Sequence, residues 1–180
     1  KIVFNSITYY NYTKKLILKN KINSYVNYPR RYYKGYNSIK NKCLNTNLEV
    51  SGYNWRLASN CLHMIDLFLF LNNSKSIKLY KNNFEEIYKS KRDGYFDIYG
   101  SMIFYDENHN KLSLIDNINS FNINGHQIKI YNKKIIYIIY ENKNMCLSID
   151  NKNINKNYFN LDLQSNLSKK YLEDILTNNI

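Results

Sequence analysis

The sequence predicts an α+β domain in which helices pack on one face of a mainly antiparallel sheet. Three observations predict it. A nearly continuous apolar helix spans 59–71. After it comes a run of β-like segments separated by turn sequences rich in Asn, Asp and Gly. Their short connections make neighbours antiparallel. An amphipathic helix at Asp162–Thr177 then closes the chain.

The elements follow in order. Ile2–Phe4 reads as a short strand and Tyr12–Lys19 as a helix. Ile22–Tyr28 has β-branched character and reads as a strand, closed by Pro29. Tyr32–Lys40 reads as a helix and Leu48–Ser51 as a strand. Gly52 breaks the run before the helix at 59–71. Seven candidate strands follow: Ile77–Tyr80, Glu86–Ser90, Tyr95–Tyr105, Lys111–Ile115, Gln127–Tyr131, Lys134–Tyr140 and Met145–Ile149. In 134–140 both faces are apolar, which predicts cover on both sides. The helices are one cover. A second copy of the chain is the other, which leaves Tyr137 and Ile139 on the face open to it. In the last helix Leu163, Leu167, Leu172, Ile175 and Leu176 are expected to face inward.

With 180 residues, 44% of them hydrophobic, the chain is long enough for one domain with a core. No apolar run is long enough to cross a membrane. Cys43, Cys61 and Cys146 lack metal-ligand spacing and suggest no disulfide framework, which fits a cytoplasmic location. The net charge of +12 comes mostly from Lys spread among Asn, Ile and Tyr. That pattern reflects an AT-rich coding composition, so no nucleic-acid partner is expected from it.

Candidate chemistry lies on the central helix. Its polar residues Ser59, Asn60, His63 and Asp66 fall within roughly a third of its circumference. A polar stripe on a buried helix needs partners, because unpaired buried polar groups are costly. It is either satisfied by other protein groups or lines a pocket. A His and a carboxylate at i and i+3 suit proton transfer beside a hydroxylated ligand. The adjacent Arg30 and Arg31 are either a surface pair or a clamp for an anion. His109 and His126 fall in apparent turns and are expected to be solvated.

Several segments resemble one family. Asn27-Tyr28-Pro29-Arg30-Arg31-Tyr32 is similar to its Asn-x-x-Arg-Arg-Phe element, and His63-Met64-Ile65-Asp66 to its helix motif. The family is the Gfo/Idh/MocA oxidoreductases. Asn54-Trp55 through Asp66, Ser90-Lys91-Arg92-Asp93-Gly94-Tyr95 and Gln164-Ser165-Asn166-Leu167 resemble a branch associated with bacterial surface-sugar biosynthesis. Two positions depart from the pattern. Ser59 stands where the family has Asp, and Arg56 replaces a Gly.

The resemblance implies a C-terminal substrate-binding and oligomerisation domain at 22–180. Residues 1–21 would then be the tail of a nucleotide-binding domain. It implies NAD or NADP, bound mainly by a domain absent from this chain, and hydride transfer with a sugar or sugar derivative. His63 would be the acid/base. Asn60 and Asp66 would hold neighbouring hydroxyls and Trp55 would stack on the ring. Arg30 and Arg31 would meet a phosphate or carboxylate near the domain junction. Lys1 has the spacing of the family's catalytic Lys, or is merely the first residue. A homo-oligomer formed through the sheet is expected. The alternative is a non-catalytic ligand-binding or assembly module.

Overall fold

Short turns and alternating apolar segments assemble one sheet in the computed structural model, which describes residues 6–24, 26–90, 93–118, 125–150, 153–162 and 164–177. Lys1, Leu163 and the strand expected at Ile2–Phe4 lie outside the described residues, as does the Ile175 side chain. The strands are β1 (Asn47–Tyr53), β2 (Ile77–Lys89), β3 (Phe96–Asp106), β4 (Lys111–Asp116), β5 (Gly125–Tyr131), β6 (Ile135–Tyr140), β7 (Met145–Asp150) and β8 (Asn153–Tyr158). They lie in the order β2-β3-β4-β1-β5-β6-β7-β8. Neighbours are antiparallel except β1 and β4, which run parallel. The helices are α1 (Ile7–Asn20), α2 (Lys34–Ile39), α3 (Leu57–Asn72) and α4 (Gln164–Leu176). The α+β expectation is the architecture present.

The core lies between α3 and one sheet face. Leu57, Met64, Leu67, Phe68 and Leu71 of α3 are all 0% exposed. They belong to one cluster with Leu48, Val50, Leu112, Leu114, Ile128 and Ile130, side chains of the central strands. Each such burial stabilises the fold by roughly 1.5–3 kcal/mol. At the far end of α3, Asn72 Oδ1 accepts from Thr46 N at 2.9 Å and its Nδ2 donates to Thr46 O at 3.1 Å. α3 packs on β3 and β4, and these bonds tie its far end to the turn before β1.

The structure corrects several sequence expectations. The described part of Ile22–Tyr28 forms no strand. It leads instead into the 3-10 turn Pro29–Tyr32, where Pro29 fixes the backbone and removes a donor. The two strands expected at 77–80 and 86–90 are one, β2. Register shifts at Leu79/Lys81 and Phe84/Glu86 carry it through the polar middle. β8 was not expected, because all six of its residues are exposed and no alternation marks it. In α4, Leu167 is buried at 7% exposure, but Leu172 and Leu176 are 58% and 81% exposed. That helix rests mainly on the 3-10 turn Pro29–Tyr32, with the Tyr171 ring edge-on to Tyr32 at 5.5 Å. Tyr137 and Ile139 do not face outward. They pair with Ile130 and Ile128 and are buried on the helix side. The half-exposed face instead carries Ile136, Ile138, Tyr140, Met145, Leu147 and Ile149.

Candidate functional site

The start of α3 has no cap of its own. Arg56, its N-cap residue, sits at φ 65 and makes no side-chain cap bond. The helix N–H groups are satisfied from the sheet instead. Asp116 Oδ2, at the end of β4, accepts from Arg56 N at 2.9 Å and Leu57 N at 3.3 Å. Asp97, near the start of β3, accepts from Ala58 N at 2.8 Å and from the Ser59 hydroxyl at 2.6 Å. Both carboxylates are fully buried. Negative charge at a helix N-terminus is favourable, and these two hold the helix that carries the polar stripe. Burial pushes the Asp116 carboxyl up, while backbone N–H bonds at the helix start pull it down. The net direction is upward.

His63 stands on the second turn of α3, half-buried. The Tyr28 ring meets it edge-on at 5.6 Å. Burial chiefly, with nearby positive charge that includes Arg30, pushes the imidazole down to about 4. His63 is therefore neutral near pH 7. One turn on, Asp66 receives both ends of the Arg31 guanidinium, with Arg31 Nε to Asp66 Oδ2 at 3.1 Å. Burial raises the Asp66 carboxyl and outweighs the lowering by Arg31.

Arg30 is engaged as well. Its Nε and Nη2 donate to the two Glu141 oxygens at 2.9 and 2.7 Å. The Tyr36 hydroxyl, from a ring with no exposed surface, donates to the same carboxylate at 2.7 Å. His126 Nε2 lies 3.2 Å from Glu141 Oε2. Burial disfavours the Glu141 charge, but Arg30 and the His126 bond hold its carboxyl far below the usual range. Both arginines therefore close bidentate pairs within the chain.

Trp55 and Asn60 form another wall. Trp55 is 5% exposed, donates Nε1 to Ile115 O at 2.9 Å and lies 5.6 Å from the His126 ring. Buried to that degree, it has no open face for a sugar ring to stack on. Asn60 Nδ2 donates to Trp55 O at 2.6 Å and Arg56 O at 3.2 Å, tying the first turn of α3 together. The structure thus gathers Arg30, Arg31, Trp55, Asn60, His63 and Asp66 around one end of α3. Lys1 lies outside the described residues.

Sequence reasoning missed Glu141, His126, Tyr36, Asp97 and Asp116. His126 is not solvated: its side chain is 20% exposed and bonded to Glu141. An acidic residue directly after an apolar strand, as Asp116 and Glu141 are, was the available signal. Gly52 belongs to the same neighbourhood. A Cβ there would collide with the Gly125 carbonyl and His126 Cα, so glycine lets β1 and β5 pass closely beside His126.

No protein family and no curated relative matches the chain at the level of sequence. Solved structures do match. A dehydrogenase (MviM) from Clostridium difficile aligns with 99% of this chain and 62% of its own, at 18% identity and a TM-score of 0.66. An assigned NADPH-dependent oxidoreductase from Desulfitobacterium hafniense aligns with 96% of this chain and 60% of its own, at 13% identity and a TM-score of 0.66. A super-repressor mutant of Gal80p from Saccharomyces cerevisiae aligns with 97% of this chain and 57% of its own, at 11% identity and a TM-score of 0.62. The chain spans about three fifths of the length of these structures. By its architecture, this chain has the fold of the C-terminal α+β domain of the Gfo/Idh/MocA proteins, which these structures share.

Proposed function

We propose that this chain is the substrate-binding part of a Gfo/Idh/MocA-type oxidoreductase that moves a hydride between NAD or NADP and a sugar or sugar derivative. The observation that carries the reading is His63. It is a neutral imidazole, half-buried on a rigid helix, on a fold shared with a dehydrogenase and an oxidoreductase. In the direction of hydroxyl oxidation a neutral imidazole accepts the proton that leaves the oxygen. The base form of His63 is present at neutral pH, and burial makes it a weaker base than a free imidazole. Tyr28 meets the His63 ring and Asn60 stands one turn before it on α3, so these are the groups we assign to orient neighbouring hydroxyls. Asp66 can accept from a ligand only with Arg31 already on its oxygens.

The described residues do not fit the dinucleotide itself. The N-terminus of α3, where a pyrophosphate would gain most, is filled by Asp97 and Asp116. The nicotinamide cofactor would be held by residues other than these, as the two-domain reading expects. The half-exposed sheet face around Ile138 and Leu147 is the surface through which a homo-oligomer would form.

The test uses the full-length protein and nicotinamide absorbance over a panel of free and nucleotide-linked sugars. His63→Ala should lower turnover by about 100-fold or more while leaving the melting temperature nearly unchanged. Asp66→Asn should raise KM more than it lowers kcat. If His63→Ala melts the domain and the surviving folded fraction keeps its activity, His63 is a core residue and the reading fails. A second reading, a non-catalytic ligand-binding or assembly module, is favoured by Ser59 in place of the family's Asp. It predicts sugar binding with no nicotinamide turnover.

A further inference from the structure

His126 is the second imidazole beside α3, and the reading above leaves it without a role. Its surroundings show what it presents. Glu141 is ionised and can only accept, so the Nε2 facing it at 3.2 Å carries the hydrogen. In the neutral ring that bond fixes the tautomer and leaves Nδ1 as an acceptor. Glu141 is itself held by two Arg30 bonds and the buried Tyr36 hydroxyl. Trp55 bounds the ring at 5.6 Å, and Gly52 pairs with His126 across the strands. The imidazole is therefore oriented from several directions.

Nδ1 makes no hydrogen bond to any described residue, and the side chain keeps 20% exposure. His126 and His63 flank the same cluster. Arg30 and Glu141 both act on the charge of His63, and Trp55 joins His126 to Asn60, one turn before His63. Arg30 is neutralised by Glu141, and Arg31 by Asp66. The cluster therefore holds no surplus arginine charge for an anion. An acceptor nitrogen backed by a carboxylate favours a hydroxyl donor and disfavours a phosphate.

We propose that His126 is a substrate-binding residue whose Nδ1 accepts a hydrogen bond from a hydroxyl of an uncharged polyol, beside the hydroxyl handled by His63. Glu141 is its positioning residue. This inference rests on the oxidoreductase reading, and its test separates the two.

The full-length protein is labelled with ring-¹³C histidine, with NAD present, at about pH 8 so that free imidazoles are neutral. D-glucose and myo-inositol are the probes. His109, exposed in the turn between β3 and β4, is the internal control. The His63 and His126 resonances should move together and saturably, while His109 stays still. His126→Leu should weaken binding, read at His63, by about tenfold. His126→Asn, which keeps an acceptor near the Nδ1 position, should bind within about threefold of the natural protein. Melting curves of both variants check the fold.

If His63 moves and His126 does not, this inference is overturned and the oxidoreductase reading stands. The same holds if Leu and Asn at 126 bind equally well. If neither imidazole responds to either polyol, this inference is overturned, and the oxidoreductase reading is decided separately by turnover over the panel of free and nucleotide-linked sugars. Tighter binding of glucose 6-phosphate than of glucose, lost in His126→Leu, would replace the hydroxyl donor with an anion and overturn the substrate class.

Discussion

α3 and α1 are helices of similar length, 16 and 14 residues, stabilised in opposite ways. α1 supplies its own ends. The Ser6 hydroxyl accepts from Tyr9 N, and Lys21 at φ 50 returns its N–H to Ile17 O and Leu18 O. None of its residues is buried. α3 supplies almost nothing locally at its N-terminus and relies on Asp116 and Asp97, which arrive from distant strands. A helix with local caps is free to form without the rest of the fold. A helix capped by the sheet has its position set by the sheet, which a side chain such as His63 requires.

The contrast can be broken at its strongest point first. Asp116→Ala removes the acceptor for two N–H groups at a buried helix start. It should cost about 2–3 kcal/mol in urea unfolding. A cost below about 0.5 kcal/mol would show that α3 does not depend on the sheet for its cap. Ser59→Asp is next. It sets a second carboxylate against Asp97 Oδ2, where the Ser59 hydroxyl now donates at 2.6 Å. It should cost about 1–2 kcal/mol at neutral pH, from like charge at close range. Ser59→Ala, losing a single bond, should cost about 1 kcal/mol at any pH.

His63 sharpens the comparison by titration. Its folded value, about 4, lies below the unfolded value of 6.5. The unfolded chain therefore takes up the proton first as pH falls. The contribution of His63 to stability is full above 6.5 and declines between 6.5 and 4. Unfolding midpoints in that window should fall less steeply with acid in His63→Gln than in the natural protein. Equal slopes would mean that His63 is not desolvated by the fold. The smallest effect belongs to α1. Ser6→Ala should reduce helicity and speed amide exchange in 7–20, at no more than about 1 kcal/mol, with the main unfolding midpoint unmoved.

The same contrast explains what the sequence made legible. The apolar run 61–71 and the Asn-rich turns gave α3 and most strands, because burial and turn chemistry are local signals. His63 and Asp66 were visible as polar breaks in that run. Their partners were not. Glu141 lies 111 positions from Arg30, and Asp97 lies 38 from Ser59, so nothing near either residue marks the pairing. β8 escaped because its side chains face solvent on both sides. Ile22–Tyr28 misled because β-branched character is a weak signal for a strand unless the segment packs against cross-strand neighbours.

The strand order also sets a problem for synthesis. β1 lies in the middle of the sheet, yet both strands that flank it, β4 and β5, follow it in the chain. α3 emerges with Leu67, Phe68 and Leu71 before β3 and β4, on which it packs, exist. A nascent chain that ends near Lys89 therefore carries its most apolar helix uncovered beside a strand with two open edges. Such a species is aggregation-prone, and holding it apart until β5 has emerged is work for a chaperone.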